Sequence, residues 1–157
     1  TNEINVEEIG INGKMNEFNA AVGLLNLKHY DESIKRRKKI DLTYRNALEK
    51  VKGIKCLHNS SAKVSNYSYF PIFVDKDYPI SRDKLYEKFR EQNIYARRYF
   101  YPLIPDFAIY QDTMGAKTKD LFPFAHEAAC KVLCLPIYPG LSDSDILRVI
   151  NAISQEF

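Results

Sequence analysis

A helical repeat of apolar residues in the first third of the chain constrains the fold more than any other feature of the sequence. After Asn16, whose side chain is suited to cap a helix, apolar residues recur at spacings of three and four. They are Phe18, Ala21, Val22, Leu25, Ile34, Tyr44, Leu48 and Val51. Asp31 either restarts this helix or continues it. We therefore expect two long helices in succession over residues 16–52, ending before Gly53.

Three later segments are rich in aromatic and β-branched residues, which predicts strands at Asn66–Val74, Ile94–Leu103 and 131–139. Pro71 lacks a ladder donor, so its strand should lie at a sheet edge or carry a bulge. Residues 105–120 between the last two segments have no clear period and predict an irregular loop.

Helix-start signals separate these segments. Ser81 is a cap residue, Pro123 suits the first turn of a short helix through Ala129, and Ser142 with Asp145 forms a capping box before a final amphipathic helix. Helices and strands do not alternate strictly. This order predicts an α+β fold with a small, mostly antiparallel sheet and helices packed on one side.

Composition narrows the function classes. The net charge is only +3, from 23 basic and 20 acidic residues, and much of the excess lies in Lys35–Lys39, which we interpret as a solvated helix face. We therefore expect no nucleic-acid partner, and no apolar run approaches membrane-spanning length. The three cysteines, Cys56, Cys130 and Cys134, form no CxxC pair, and no histidine lies at zinc-finger spacing from them. We expect reduced packing cysteines, no metal site and a cytoplasmic location.

Three segments together resemble one family. They are "GINGKMNEFNAAVGLLNL" (Gly10–Leu27), "ARRYFYPL" (Ala96–Leu103) and "LCLPIYPGLSDSDILRVINAI" (Leu133–Ile153). In this order they resemble the C-terminal part of the DegT/DnrJ/EryC1/StrS aminotransferases, pyridoxal-phosphate (PLP) enzymes that act on keto sugars attached to nucleotides. The first segment follows that family's glycine, asparagine, basic, methionine, glutamate and paired-alanine pattern through Gly10, Asn12, Lys14, Met15, Glu17, Ala20 and Ala21.

The resemblance implies a fold and an incomplete enzyme. It places residues 1–157 as a single domain: an interface helix followed by the small C-terminal α+β domain of the aspartate-aminotransferase-like (fold type I) enzymes. The large domain of this family carries the lysine that forms the Schiff base with PLP, and that lysine lies outside this chain. The resemblance thus implies a homodimeric parent enzyme that transfers an amino group from glutamate to a nucleotide-linked keto-deoxy sugar, with this fragment inactive alone.

Two residues of the first segment are candidates for cofactor binding. In relatives, the asparagine matching Asn12 reaches the cofactor phosphate of the other subunit, and an amide on a glycine-flanked loop before a helix suits that role. Lys14 adds charge to the same phosphate or to the diphosphate of the sugar nucleotide. The alternatives are that Asn12 only makes a turn and that Lys14 is solvated.

Arg97, Arg98, Tyr99 and Tyr101 are the candidates for substrate binding. Two adjacent arginines in a strand point to opposite faces, so at most one should enter the site, where its fork suits a carboxylate or a diphosphate. The tyrosines either bind sugar hydroxyls and the base or pack in a core or interface. Many relatives carry His-Tyr where this chain has Tyr99-Phe100, so no histidine role transfers. We expect no catalytic residue in this chain.

The sequence is also compatible with two other functions. Some relatives replace the Schiff-base lysine and carry out PLP-dependent dehydration of sugars, and the deciding residue lies outside this chain. The other is a non-catalytic domain that binds a sugar nucleotide or a partner protein.

Overall fold

The computed structural model describes residues 13–57, 65–110 and 118–155, and the elements named here lie in those ranges. In chain order they are α1 (Glu17–Leu48), β1 (Ile54–Cys56), β2 (Phe70–Val74), α2 (Arg82–Glu91), α3 (Thr118–Leu121), α4 (Pro123–Lys131), β3 (Val132–Leu135) and α5 (Asp143–Ser154). Two 3-10 turns, Ile104–Asp106 and Ala108–Tyr110, lie between α2 and α3. The chain divides into a first unit of residues 1–32 and a second unit of residues 33–157.

Helix α1 begins as the sequence predicts. The Asn16 side chain accepts a hydrogen bond from the backbone N–H of Asn19 at 2.8 Å and so satisfies one free donor of the first turn. The prediction of two helices is wrong, because Asp31 continues a single helix of 32 residues. That helix ends at Leu48, earlier than residue 52, and turns lead to Gly53 at φ 76°.

The sheet is antiparallel throughout, in the order β1-β2-β3. Ile54 pairs with Val74 at one side of β2, and Phe70 pairs with Leu135 at the other. The small antiparallel sheet predicted from the sequence is thus confirmed.

Pro71 lies in the central strand, so its predicted edge position is wrong. The reason it is tolerated lies in the register. Pro71 is opposite Cys134, whose backbone N–H and carbonyl both bond to Arg97 on the far side of β3. The Pro71–Cys134 pair is therefore a non-hydrogen-bonded one, and β1 ends opposite Ile72. The missing N–H of Pro71 costs no ladder hydrogen bond.

All three predicted strands are shorter than the sequence indicated or absent: residues 131–139 form a strand only at Val132–Leu135, and Asn66–Val74 only at Phe70–Val74. Before β2, the Asn66 and Ser65 side chains accept hydrogen bonds from the backbone N–H groups of Ser68 and Tyr67, which compete with strand pairing. Segment Ile94–Leu103 is not a strand: it makes an isolated bridge between Arg97 and Cys134 and then turns. Phe100 in that turn has a φ of 45°, which no regular strand accommodates.

The core of the second unit lies on one face of the sheet. It is formed by α1, alternate residues of β2 and β3, and α2 and α5, through Ile40, Tyr44, Leu48, Phe70, Ile72, Leu85, Phe89, Leu133, Ile146, Val149 and Ile153. Helix α4 contacts β2, and its Phe124 and Ala128 lie beside Phe73, which alternation directs to the opposite face. Helices therefore cover both faces, and the prediction of helices on one side is wrong.

The predicted helix starts are confirmed. Ser81 accepts from the N–H of Lys84, Ser142 accepts from the N–H of Asp145, and Pro123 occupies the first turn of α4, which ends at Lys131 rather than Ala129. Among the helices of the described ranges, none has the length and apolarity needed to cross a membrane.

Candidate functional site

The segment Arg97–Tyr101 is held at its start by β3. The N–H of Arg97 donates to the carbonyl of Cys134 at 2.9 Å, and the N–H of Cys134 donates back at 2.8 Å. Arg97 is exposed, whereas the Arg98 side chain is 35% exposed. The two arginines therefore have different surroundings.

The Arg98 guanidinium lies among aromatic rings and one carboxylate. Its central carbon is 4.6 Å from the ring centre of Tyr86 and 4.8 Å from that of Tyr101. Its Nη1 donates to Oδ1 of Asp83 at 3.3 Å. Cations over aromatic faces gain from the ring quadrupole, so three separate contacts hold this guanidinium.

A second arginine approaches the same tyrosine from α2. Arg82 is only 3% exposed, and its guanidinium carbon is 4.6 Å from the ring centre of Tyr101. Its Nη1 donates to the carbonyl of Val132 at 3.2 Å. Its Nε lies 3.0 Å from Oδ1 of Asp83, an ion-pair distance, but is buried and makes no hydrogen bond with any residue that the structure describes. We call Arg82, Asp83, Tyr86, Arg98 and Tyr101 the Arg–Tyr cluster.

Tyr99 belongs to a neighbouring group of rings. Its ring centre lies 5.5 Å from that of Tyr69 and 4.4 Å from that of Phe100, both in edge-to-face arrangements. Tyr101, in contrast, is 44% exposed and contacts both arginines. The structure thus brings Arg98 and Tyr101 together and gives Tyr99 a packing contact.

The charge of the Arg–Tyr cluster suits an anion. Two guanidinium groups against the single carboxylate of Asp83 leave a net charge of +1, and the exposed Arg97 adds another cation in the same segment. Guanidinium forks match carboxylate and phosphate oxygens, and phenol groups add hydrogen bonds to hydroxyls. The cluster can bind and orient an anionic ligand, but it contains no nucleophile paired with a base.

The cysteine next to this segment is not reactive. Burial raises the pKa of the Cys134 thiol to about 11, and Arg97 lowers it by a smaller amount. The thiol therefore stays protonated at neutral pH. In the described ranges, no three His, Cys, Asp or Glu side chains are arranged to hold a metal ion.

The cofactor candidates lie in the first unit. Lys14 is exposed and precedes the start of α1 by three positions. Asn12 lies outside the described residues. An exposed ammonium before a helix N-terminus has the chemistry of a phosphate ligand.

Sequence reasoning missed Arg82, Asp83 and Tyr86. The available signal was the spacing of Arg82 and Tyr86, which lie four residues apart and so share one face of the helix that Ser81 begins. The sequence did not indicate which segment packs against that face of the helix. In the structure it is the segment that contains Arg98 and Tyr101.

Comparisons with known proteins agree on one family. The family model described as the DegT/DnrJ/EryC1/StrS aminotransferase family matches residues 1–154. The chain is 48% identical over 154 residues to the dTDP-4-amino-4,6-dideoxy-D-glucose transaminase of Shigella dysenteriae, covering 98% of this chain and 41% of that protein. It is 45% identical over 151 residues to the transaminase of the same description from Escherichia coli, covering 96% of this chain and 40% of that protein.

Structural similarity points the same way. The X-ray crystal structure of DesV from S. venezuelae superimposes with a TM-score of 0.77 at 26% identity, covering 98% of this chain and 40% of that chain. The chain therefore spans about two fifths of the length of the relatives it matches.

Proposed function

The chain belongs to the DegT/DnrJ/EryC1/StrS aminotransferase family, and on that premise we propose that it is the C-terminal domain of a PLP-dependent sugar-nucleotide aminotransferase. The parent enzyme transfers an amino group from an amino acid, glutamate by our expectation, to a nucleotide-linked 4-keto-6-deoxy sugar. Support for the sugar class comes from the transaminases that are 48% and 45% identical over nearly the whole chain.

The observation that carries the substrate assignment is the Arg–Tyr cluster with its surplus positive charge. In the proposed enzyme, Arg98 or Arg97 pairs with the diphosphate of the nucleotide or with the carboxylate of the amino donor. Tyr101, being partly exposed beside two guanidinium groups, binds a sugar hydroxyl or the base. Tyr99 supports this surface through its ring contacts with Tyr69 and Phe100.

The cofactor contact of this domain is proposed for Asn12 and Lys14. PLP, when bound, serves as the electron sink for amino-group transfer. The Lys14 ammonium contributes charge to a phosphate near the start of α1, and Asn12 contributes an amide donor. The residue that forms the covalent bond to PLP lies, in this proposal, in the part of the parent enzyme outside this chain.

The first unit supports the division into a small domain and a missing large one. Its helix exposes large apolar side chains on more than one face. Phe18 is 85% exposed, and the others in the helix are Val22, Leu24, Leu25, Leu27 and Tyr30; Met15, just before the helix, is 72% exposed. Large apolar side chains exposed together in one segment indicate a site where another protein surface packs. We assign it to the large domain and the second subunit of a homodimer. A cytoplasmic location fits the three free cysteines of the chain.

The decisive experiment uses the full-length protein. Incubation with PLP, glutamate and a dTDP-4-keto-6-deoxyhexose should yield the dTDP-4-amino sugar and 2-oxoglutarate, detected by mass spectrometry. We expect Arg98→Gln to raise the KM for the nucleotide sugar about tenfold, the scale of one lost charge-assisted hydrogen bond. Arg90→Gln is the matched control, because Arg90 is an exposed arginine of the same helix as Arg82 and lies outside the cluster.

Intact mass after borohydride treatment tests the cofactor without relying on turnover. A reduced pyridoxyl adduct on a lysine outside residues 1–157 supports the proposal. A full-length protein that takes up PLP but forms no adduct instead indicates a relative that has lost the Schiff-base lysine. Unchanged PLP affinity in Asn12→Ala would remove the phosphate role of Asn12.

A further inference from the structure

One carboxylate oxygen joins the two arginines of the Arg–Tyr cluster. Oδ1 of Asp83 lies 3.0 Å from Nε of Arg82 and 3.3 Å from Nη1 of Arg98. Both guanidinium carbons are within 5 Å of the Tyr101 ring centre. Without a negative charge between them, two cations this close to one ring would repel each other.

The two arginines are not equivalent. Arg82 is buried and fixed, since its side chain is 2% exposed and donates to the backbone carbonyl of Val132 at the start of β3. Arg98 is more accessible, with 35% of its side chain exposed, and it has no such backbone anchor among the contacts described. The two ion pairs of Asp83 therefore link Arg98 to an arginine whose position is fixed.

Asp83 itself has a defined position. It lies in the first turn of α2, which begins at the Ser81 cap, where Oγ accepts from the N–H of Lys84 at 3.3 Å. A carboxylate in this turn also faces the positive end of the helix dipole. The side chain is half exposed, so its role is not to fill the core.

We propose that Asp83 is the positioning residue of the nucleotide-sugar site, holding the Arg98 guanidinium against Tyr86 and Tyr101 in the orientation that receives the anionic substrate. This inference rests on the proposed function of Arg98 and Tyr101. It extends that function to a residue that does not itself contact the substrate and that carries the same sign of charge as the substrate.

Because Asp83 carries the same negative charge as the substrate, Asp83→Asn in the full-length protein distinguishes positioning from a purely electrostatic effect. If the charge of Asp83 acted only through the local potential, its removal would strengthen binding of an anion. If Asp83 positions Arg98, its removal weakens binding. We expect the dissociation constant for thymidine diphosphate, measured by calorimetry, and the KM for the nucleotide sugar to rise about tenfold, the scale of one charge-assisted contact. The rate of the half-reaction with the amino donor should change little, because this inference assigns Arg98 to the diphosphate and not to the donor carboxylate.

Two matched variants separate positioning from charge and folding. Asp77→Asn removes the same charge from an exposed aspartate outside the cluster and should leave thymidine diphosphate binding unchanged. Asp83→Glu keeps the charge one methylene further along the side chain and should recover part of the affinity. Because Glu also restores the charge that faces the helix dipole, thermal melts of each variant are needed to report whether helix α2 and the fold are retained.

A double-mutant cycle completes the test. Arg98→Lys keeps the cation but loses the planar fork, so we expect weaker thymidine diphosphate binding. If Asp83 acts through Arg98, adding Asp83→Asn to Arg98→Lys should cost little more, and the two effects should be far from additive. Full additivity overturns the positioning role.

The outcomes distinguish this inference from the function on which it rests. A folded Asp83→Asn protein that binds thymidine diphosphate as tightly as the wild type, or more tightly, overturns the inference alone. A wild-type protein that neither binds thymidine diphosphate nor transfers an amino group contradicts the proposed function, and the inference falls with it.

Discussion

The Tyr44 phenol connects α1 to the loop that follows β3. Tyr44 has no exposed surface, and its hydroxyl donates to the carbonyl of Pro136 at 3.0 Å. Burial raises the pKa of this phenol well above its ordinary value, so it remains a donor throughout the physiological range. The hydroxyl thus satisfies a carbonyl that follows β3.

Tyr44→Phe should destabilise the protein by about 1 kcal/mol, because the Pro136 carbonyl loses its donor while the ring still packs. The free energy of unfolding in urea checks this value. Tyr95→Phe is the control, because Tyr95 is 64% exposed and its hydroxyl can bond to water. Equal stability of both variants would contradict the assigned hydrogen bond.

Gly53 has a backbone requirement that no other residue type meets. Its φ is 76°, and a Cβ placed there would lie 2.1 Å from the backbone nitrogen of Tyr78. Its carbonyl also accepts from the N–H of Asp75 at 2.8 Å. The turn before β1 is therefore built on close contact between two backbone segments.

Gly53→Ala should cost about 2 kcal/mol or more, from left-handed strain and displacement of the adjacent backbone. Gly140→Ala is the matched control: its Cβ would meet only Tyr138 side-chain atoms at 3.8 Å, an ordinary contact. Thermal denaturation should separate the two variants, and similar melting temperatures would contradict the close approach at Gly53.

At the scale of elements, α5 depends on the cap at its first turn. Ser142 Oγ accepts from the N–H of Asp145 at 3.1 Å and contacts the Asp145 carboxylate at 2.6 Å. The helix then buries Ile146, Val149 and Ile153 in the core. The cap therefore sets the position from which these apolar side chains enter the core.

Ser142→Ala should destabilise the protein by about 1 kcal/mol through loss of this cap. Ser154→Ala, at an exposed position in the last turn of α5, should change stability by no more than about 0.5 kcal/mol. The midpoints of urea unfolding of the two variants are compared. A Ser142→Ala midpoint equal to that of the wild type would contradict the role of the cap.

At the scale of the whole molecule, paired aspartates make stability depend on pH. A side-chain hydrogen bond from Lys55 holds the pKa of Asp75 below its ordinary value of 3.8, and a hydrogen bond from Arg36 does the same for Asp143. A carboxyl group whose folded-state pKa is lowered stabilises the fold above the ordinary pKa. That contribution is lost as the pH falls through the lower, folded-state value.

The free energy of unfolding should therefore decrease as the pH is lowered from 5 to below 3.8. Asp75→Asn combined with Asp143→Asn should flatten this dependence, whereas Asp77→Asn should leave it unchanged. Urea unfolding at a series of pH values measures the slope. An unchanged slope in the double variant would show that other carboxyl groups dominate.

The local features of this fold were readable from the sequence. The caps at Asn16, Ser81 and Ser142 and the buried spacing of Tyr44 and Leu48 depend on neighbours within four residues, so their signals lie in the sequence itself. The family resemblance was also readable, because its motifs are contiguous. Features that depend only on residues close in sequence can therefore be predicted from a short window of the sequence.

The tertiary structure decided the rest. Pro71 lies in the central strand because Cys134 bonds away from it to Arg97, and no local pattern contains that register. The segment Ile94–Leu103 has the composition of a strand but turns at Phe100. The Arg–Tyr cluster joins α2 to that turn, so the burial of Arg82 and the role inferred for Asp83 arise only when distant segments pack. Strand pairing and burial each require two segments that are distant in sequence, and a short window of the sequence contains only one of those segments.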